Sequence, residues 1–342
     1  MARPLDISVL MPVRNAARTV RSALGSVLRS RGVSFEVVVV EHASSDGTRE
    51  ILDDIARADG RVRIVDAEAA LSLAEVLEEG RRRCRAPYLA RMDADDLMHP
   101  ERLLADKRAL DEEGEIAAVA CRTRLFPLHR AGIGMRAYVF WQNTLLTPED
   151  HEREIWIEQP LCHPATTFRA DVLDEVGGYR SGEFPEDYDL FLRLVLRGKR
   201  LKKRPVFHHG WREHGARVTY CDPRTSRDAL CDAKARALVE RFSLDERPVF
   251  IAGAGKEGGR MARCLGKLGV RPSRFFDVSP RRIGRVRHGA PVLPREQLSV
   301  ERRAHDDAFL IGAVGTSGAR GSVRALFQDA GFIEGDDAVV VA

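Results

Sequence analysis

Apolar and polar positions in this chain come in blocks. "ISVLMPV" (7–13), "FEVVVVEH" (35–42), "RVRIVDA" (61–67) and "PYLARMD" (87–93) are short apolar runs rich in β-branched residues, the pattern of strands covered on both faces. Between them apolar residues recur at helical spacing: Ala17, Val20, Ala23, Leu24, Val27 and Leu28, then Ile51, Leu52, Ile55 and Ala56, then a helix across 70–84. Ser44, Ser45 and Asp46 are N-cap types ahead of the second of these helices. Strands alternating with helices predict an α/β fold with a mostly parallel sheet that binds ligands at the carboxyl ends of its strands. The stretch 122–165 breaks the period and predicts loops and short helices. Helical spacing returns at 165–179, 185–198 and 226–242, and "SLDERP" (243–248) reads as a linker. The βαβ pattern then restarts with "VFIAGAGKEGGRMARCLGKLGV" (249–270) and "SRFFDVS" (273–279). The expected organisation is two domains, 1–245 and 246–342.

Composition narrows the picture. At 342 residues the chain suits two domains, and 44% hydrophobic with 31% charged residues is ordinary for proteins with buried cores. The charge of +4, from 55 basic and 51 acidic side chains, gives no reason to expect nucleic acid as a partner. "RGKRLKKRP" (197–205) reads as a solvated basic face. The six cysteines form no C-x-x-C pair, so they are expected to be reduced thiols of a cytoplasmic protein rather than a zinc site or disulfide framework. The apolar run in "MARPLDISVLMPV" is too short for a signal peptide, and no stretch is long enough to span a bilayer. The expectation is a soluble protein, at most peripheral to the inner face of the membrane.

Chemistry concentrates in "ARMDADDLMHPERL", where Asp93, Asp95 and Asp96 fall together after a buried strand. Carboxylates so placed suit a hard divalent cation, Mn²⁺ or Mg²⁺, which completes its shell with water and phosphate oxygens. A helix-capping turn is the competing use. In "PEDYDLFLRL", Leu190, Phe191, Leu194 and Val195 share a core-facing side of a helix whose N-terminus carries Glu186 and Asp187. Those acids either complement the helix dipole or do chemistry.

The order "SVLMPVRN", "VVVVEHASSDGT", "ARMDADDLMHPERL", "HPATTFRADVLDEVGGY", "FPEDYDLFLRL", "WREHGARVT" resembles the successive motifs of family 2 glycosyltransferases of GT-A fold, over residues 5 to about 220. The tail resembles a Rossmann-like domain fused to some bacterial members. The resemblance implies inverting transfer of a sugar from a nucleotide donor, a UDP- or dTDP-sugar, to a hydroxyl on a sugar, lipid-linked or peptide acceptor, in polysaccharide or glycoconjugate synthesis. It gives Pro12, Val13, Arg14, Asn15, Glu41, His42, Asp93 and Ala94 to the nucleotide sugar, and Asp93, Asp95 and His214 to the metal. Asp187 becomes the general base, with Glu186, His163 and Trp211 on the acceptor side. The chain departs from the family pattern at His42, where a second acid is usual and which leaves the base open, and at Glu78, where relatives often have Asn. It lacks the Gln-x-x-Arg-Trp motif of processive synthases, so single additions are expected.

In the second domain Gly253, Gly255 and Gly258 follow a strand and open a helix, and Asp277 ends the next strand. This is the setting of a dinucleotide or nucleotide site, with Asp277 where a ribose-binding acid falls. A purely structural module fits equally. Two other functions remain open from sequence: an NAD(P)-dependent oxidoreductase acting on a sugar nucleotide, and a non-catalytic sugar-nucleotide-binding protein.

Overall fold

The computed structural model describes residues 4–215, 217–316 and 318–342, and the chain divides into two compact units. The first takes residues through His151 with Pro160–Gly182 and Asp189–Cys221. Its strands are β1 (Ile7–Val13), β2 (Phe35–His42), β3 (Val62–Ala67), β4 (Tyr88–Arg91), β5 (Leu97–Met98), β6 (Ile116–Phe126), β7 (Thr166–Arg169) and β8 (Arg200–Arg212). They form one sheet in the order β3-β2-β1-β4-β7-β6-β8-β5. β1 to β4 run parallel, β7 is antiparallel to both its neighbours, β6 and β8 are parallel, and β5 closes the edge antiparallel to β8.

The predicted strands at 7–13, 35–42, 61–67 and 87–93 all form. Every residue of β2 is buried, as its run of four valines requires. The helix Leu73–Arg83 is set by a capping box in which Ser72 Oγ accepts from the Glu75 N–H and the Glu75 carboxylate accepts from the Ser72 N–H. It packs so closely on the sheet that a Cβ at Gly80 would lie 2.3 Å from Leu10 and 2.4 Å from Val40. The preceding helix, Thr48–Ala58, starts from Gly47 in the left-handed region rather than from Ser44 or Ser45, while Asp46 accepts the Thr48 N–H. Register sets the carboxyl ends side by side: Val13 pairs with Glu41, Leu10 with Arg91, and the Met92 N–H donates to Leu10 O at 3.1 Å.

The stretch expected to be loops and short helices holds instead the end of an eleven-residue strand, β6, and a twelve-residue helix, Ile133–Thr144. The basic cluster is likewise not a solvated face. It lies in the thirteen-residue β8, where Lys202 pairs with Glu113, Arg204 with Asp106 and Arg200 with Glu149. Lys203 is buried and donates to Gln142 O and Pro160 O, and burial pushes its pKa down to about 7.

The second unit takes Glu152–Gln159, Glu183–Tyr188 and Asp222–Ala342. Its strands are β9 (Val249–Ala252), β10 (Pro272–Asp277), β11 (Val286–Arg287), β12 (Ala290–Pro294), β13 (Phe309–Gly312) and β14 (Ala338–Val340), in the order β11-β12-β10-β9-β13-β14. All are parallel except the β11 edge. The helix Arg227–Phe242, which the sequence assigns to the front domain, falls in this unit, so the division comes at Asp222 rather than 245. Its buried alanines at 233, 235 and 237 permit close packing, and Arg260–Asp228 and Lys267–Asp232 ion pairs fasten it to the helix Lys256–Gly266. Among the described residues no helix is long and apolar enough to cross a membrane.

Candidate active site

The carboxyl edge of β1, β2 and β4 gathers most of the residues singled out in the front unit. Val13 is buried and Pro12 half-buried at the end of β1, followed by exposed Arg14 and Asn15. Asn15 adopts φ 51° and ties the first loop to the second: its Oδ1 accepts the Ser45 N–H at 2.9 Å, and its own N–H donates to Ser44 Oγ at 3.0 Å. Glu41 Oε1 accepts the Ser44 N–H at 2.7 Å. His42 is 7% exposed, and its Nε2 is buried without a hydrogen-bond partner among the described residues. A buried polar atom left so is costly unless something meets it.

Beside this edge Asp93, Asp95 and Asp96 each present a carboxylate oxygen, all within 4.8 Å of one another. They are not equivalent. Asp96 is fully buried and accepts at both oxygens, from His209 Nε2 at 2.8 Å and from the Arg212 N–H at 2.7 Å. Asp93 Oδ1 accepts from Arg91 at 2.7 Å, and Asp95 Oδ2 lies 2.7 Å from His214 Nε2. Burial, with the charges of Asp93 and Asp96, pushes Asp95 up to about 6 against the His214 hydrogen bond. Burial and the Asp93 charge push Asp96 up as well. Asp93, Asp95 and His214 stand partly open to solvent. The donor set therefore fits a hard divalent cation on Asp93 and Asp95, with Asp96 as an inner buttress and His214 held against the second ligand. Ala94 is buried between them.

Beneath the carboxylates runs a buried polar chain. Arg102, wholly buried, donates to Pro164 O at 2.9 Å and to Arg91 O at 3.2 Å, pairs with Asp106, and places Nη1 3.3 Å from His209 Nδ1. A guanidinium only donates, so His209 Nδ1 accepts, and the ring proton sits on Nε2, facing Asp96. Burial keeps this imidazole neutral, its pKa far below the usual value. Asp106 in turn accepts from Thr167 Oγ1 and Arg204. The network that joins Arg102, Asp106 and His209 carries no signal in sequence, because its links to Pro164, Thr167, Arg204 and Asp96 span 61 to 113 positions.

Other predicted residues take different settings. His163 is 4% exposed, bonds Tyr179 Oη through Nε2 at 2.9 Å and meets Phe168 and Phe191 edge to face, the setting of a structural histidine. Trp211 is half-buried, packed against Cys121, Cys162 and Ala165, with Arg217 4.2 Å over its ring. Within the "WREHGARVT" motif, Ala216 lies outside the described residues. Glu78 pairs with Arg81 and Arg82 and accepts the Tyr179 N–H at 3.0 Å, so it anchors the Gly177–Gly178 turn. Another donor set, His99, Glu101 and His208, stacks its imidazoles at 4.6 Å and 11°, so their in-plane lone pairs run parallel instead of converging.

In the second unit, Asp187 is half-buried in the first turn of the helix Glu186–Leu196, with Oδ1 accepting from the Tyr188 N–H at 2.7 Å; Glu186 beside it is buried. Tyr188 Oη donates to Ile155 O at 2.6 Å, fixing this turn to the segment that carries Glu158. Burial raises the Glu158 pKa, with the Asp187 charge adding and Lys234 opposing. At the glycine loop, Gly253 (φ 109°) passes so near β13 that a Cβ would lie 2.7 Å from Ala313 O, and one at Gly258 would lie 1.8 Å from Gly253 O. Arg287 donates to Gly255 O at 3.0 Å. Asp277 Oδ2 accepts the Ala254 N–H, Oδ1 accepts the Ser279 N–H, both at 2.8 Å, and Arg282 caps them. The acid expected at a ribose thus braces its own loop.

A mostly parallel sheet with an Asp-x-Asp pair at the carboxyl edge of its leading strands defines the front unit as a GT-A transferase. Residues 8–177 match the family model for glycosyl transferase family 2, and the chain belongs to that family. EpsE of Bacillus subtilis is 28% identical over 199 residues, 57% of this chain and 68% of EpsE. The O-antigen biosynthesis glycosyltransferase WbnJ of Escherichia coli is 27% identical over 198 residues, 56% of this chain and 73% of WbnJ. Crystal structures of S. aureus TarS share the fold: the complex of TarS 1–349 with UDP-GlcNAc aligns with a TM-score of 0.55 at 14% identity, covering 76% of this chain and 72% of that TarS chain.

Proposed function

We propose that the chain transfers a sugar, with inversion and one residue at a time, from a nucleoside-diphosphate sugar to an acceptor hydroxyl in assembly of a cell-surface polysaccharide or glycoconjugate. The observation that carries this reading is the convergence of Asp93 and Asp95 at the sheet's carboxyl edge, supported by the buried His42 Nε2 at the end of β2, which has no hydrogen-bond partner among the described residues. The β1 and β2 ends, with Arg14, Asn15, Glu41 and His42, take the nucleoside, with uracil or thymine as the base, and Asp93 and Asp95 take the metal. When bound, a divalent cation supplies Lewis-acid stabilisation to the departing diphosphate. Asp187 accepts the acceptor's hydroxyl proton as that oxygen forms its bond to the anomeric carbon and the bond to the diphosphate breaks. Glu158 beside it disfavours a second negative charge and so favours proton capture by the pair. The glycine loop of the second unit serves packing in this reading.

Donor hydrolysis and transfer, followed across sugar nucleotides with Mn²⁺, Mg²⁺ or chelator, test it. Turnover is expected only with metal. Asp187→Asn, which keeps the shape of the side chain, should lower kcat by about 10²–10⁴-fold while leaving donor affinity in place. Asp95→Asn should weaken metal-dependent donor binding itself. Full turnover in chelator, or in Asp187→Asn, defeats the reading.

A further inference from the structure

The helix Ile133–Thr144 turns an apolar side to solvent. Its inward face is Val139 and Gln142, both buried. Opposite them, at helical spacing i, i+4, i+7, stand Ile133, Ala137 and Phe140, with Ile133 88% and Phe140 73% exposed. Leu128, 56% exposed, is tied to this face because Arg136 donates to its carbonyl at 2.9 Å. Phe207 lies under Arg124 at 4.6 Å and Arg122 at 5.9 Å, and Arg122 donates to Asn143 O on the helix at 3.0 Å. Tyr138 and Trp141, half-buried, line the other flank with ring centroids 5.8 Å apart.

The charge around this face is one-sided. Between Glu115 and Glu149 the chain carries no acidic residue, and its only full charges there are Arg122, Arg124, Arg130 and Arg136. Arg122 and Arg136 donate to backbone carbonyls rather than to carboxylates. Elsewhere most arginines pair with carboxylates, as Arg200 and Arg204 do. Exposed apolar anchors, flanking aromatic rings and unneutralised arginines together match the interface of an anionic lipid bilayer, where rings and aliphatic side chains enter the acyl boundary and guanidiniums meet phosphates. We infer that the Ile133–Thr144 helix docks this protein on anionic membrane surface, with Leu128, Ile133 and Phe140 as anchors and Arg124, Arg130 and Arg136 as phosphate contacts.

Flotation of the full chain with vesicles of phosphatidylcholine, with and without phosphatidylglycerol, tests this. Binding is expected to the anionic vesicles alone and to fall steeply as salt is raised. Removing Arg124 or Arg130 as glutamine should weaken it about fivefold each, and Ile133→Ser with Phe140→Ser by at least about tenfold. Thermal melting of these variants should match the parent, since the side chains replaced are exposed. Failure of the parent chain to float, equal binding to neutral vesicles, or binding untouched by the serine substitutions overturns the inference. So does a dimer in sedimentation velocity that the serine variant dissolves, because the face would then belong to a second copy.

Discussion

His209 has both ring nitrogens committed, one to Arg102 and one to Asp96, and that commitment orients the inner aspartate beside Asp93 and Asp95. Removing the ring takes the acceptor from one N–H of buried Arg102 and the donor from one oxygen of buried Asp96 at once. His209→Ala should therefore cost about 2–5 kcal/mol in urea unfolding, well beyond the packing loss of one imidazole. The same variant should weaken Mn²⁺-dependent donor binding about tenfold or more, since outer partners of metal ligands act through orientation. A loss below about 1 kcal/mol would show that Asp96 does not depend on the ring. Asp93 and Asp95 stand out in the sequence because they lie two positions apart, whereas His214, 119 positions from Asp95, enters only through the family resemblance. The Arg102–His209 contact spans 107 positions and has no periodicity or motif to announce it, so it becomes visible only when β8 is laid beside β6 and β5.

At the scale of strands, β1 to β4 are legible because each is an apolar run with no competing use for its residues. β8 is not: Arg200, Lys202, Lys203 and Arg204 read as a hydrated surface, yet three find carboxylates on other elements and the fourth finds carbonyls. Tertiary pairing overrides a polar sequence there. A smaller case of the same physics sits at the other end of the sheet. Glu36, 2% exposed in β2, accepts from Ser8 in β1, from Arg63 in β3 and from Arg85. Burial works to raise its pKa, but hydrogen bonds from Arg85, Arg63 and Ser8 outweigh it and hold it at about 2. Because this lies below the unfolded value near 4.5, the stabilisation is whole above pH 4.5 and fades as the pH falls toward 2. Allowing for screening of the two part-exposed arginines, it is about 2 kcal/mol. Glu36→Gln should lose that much at neutral pH, and the gap between parent and variant should close between pH 4.5 and 2. A gap that stays constant through that range would mean that Glu36 contributes by shape, not by charge.

For the whole molecule, the second unit includes the short segments 152–159 and 183–188 as well as its sheet domain. Asp187 therefore belongs to the same compact body as β9 to β14, a grouping that sequence order conceals because the motif around Asp187 precedes that sheet by some sixty positions. Lys234 is the fastening. Buried, it donates to Ile157 O at 2.9 Å and to Val341 O at 2.8 Å, so one ammonium joins the Glu158 segment to the end of the last strand. Burial and this charge balance each other unevenly: desolvation lowers the Lys234 pKa while Glu158 opposes it. Lys234→Met removes the desolvation cost but leaves two carbonyls without a donor, for a net loss of about 1–3 kcal/mol. Without the ammonium, Glu158 loses the charge that favours its ionised form, and the segment held to Tyr188 loosens. Turnover in Lys234→Met should therefore fall while metal-dependent donor binding, which the proposed function assigns to Asp93 and Asp95, keeps its affinity. The KM-against-kcat split separates this from general instability: a parallel loss of donor affinity and kcat would assign Lys234 to folding alone, whereas a fall in kcat by itself ties the Lys234–Glu158 segment to turnover through Tyr188 and Asp187.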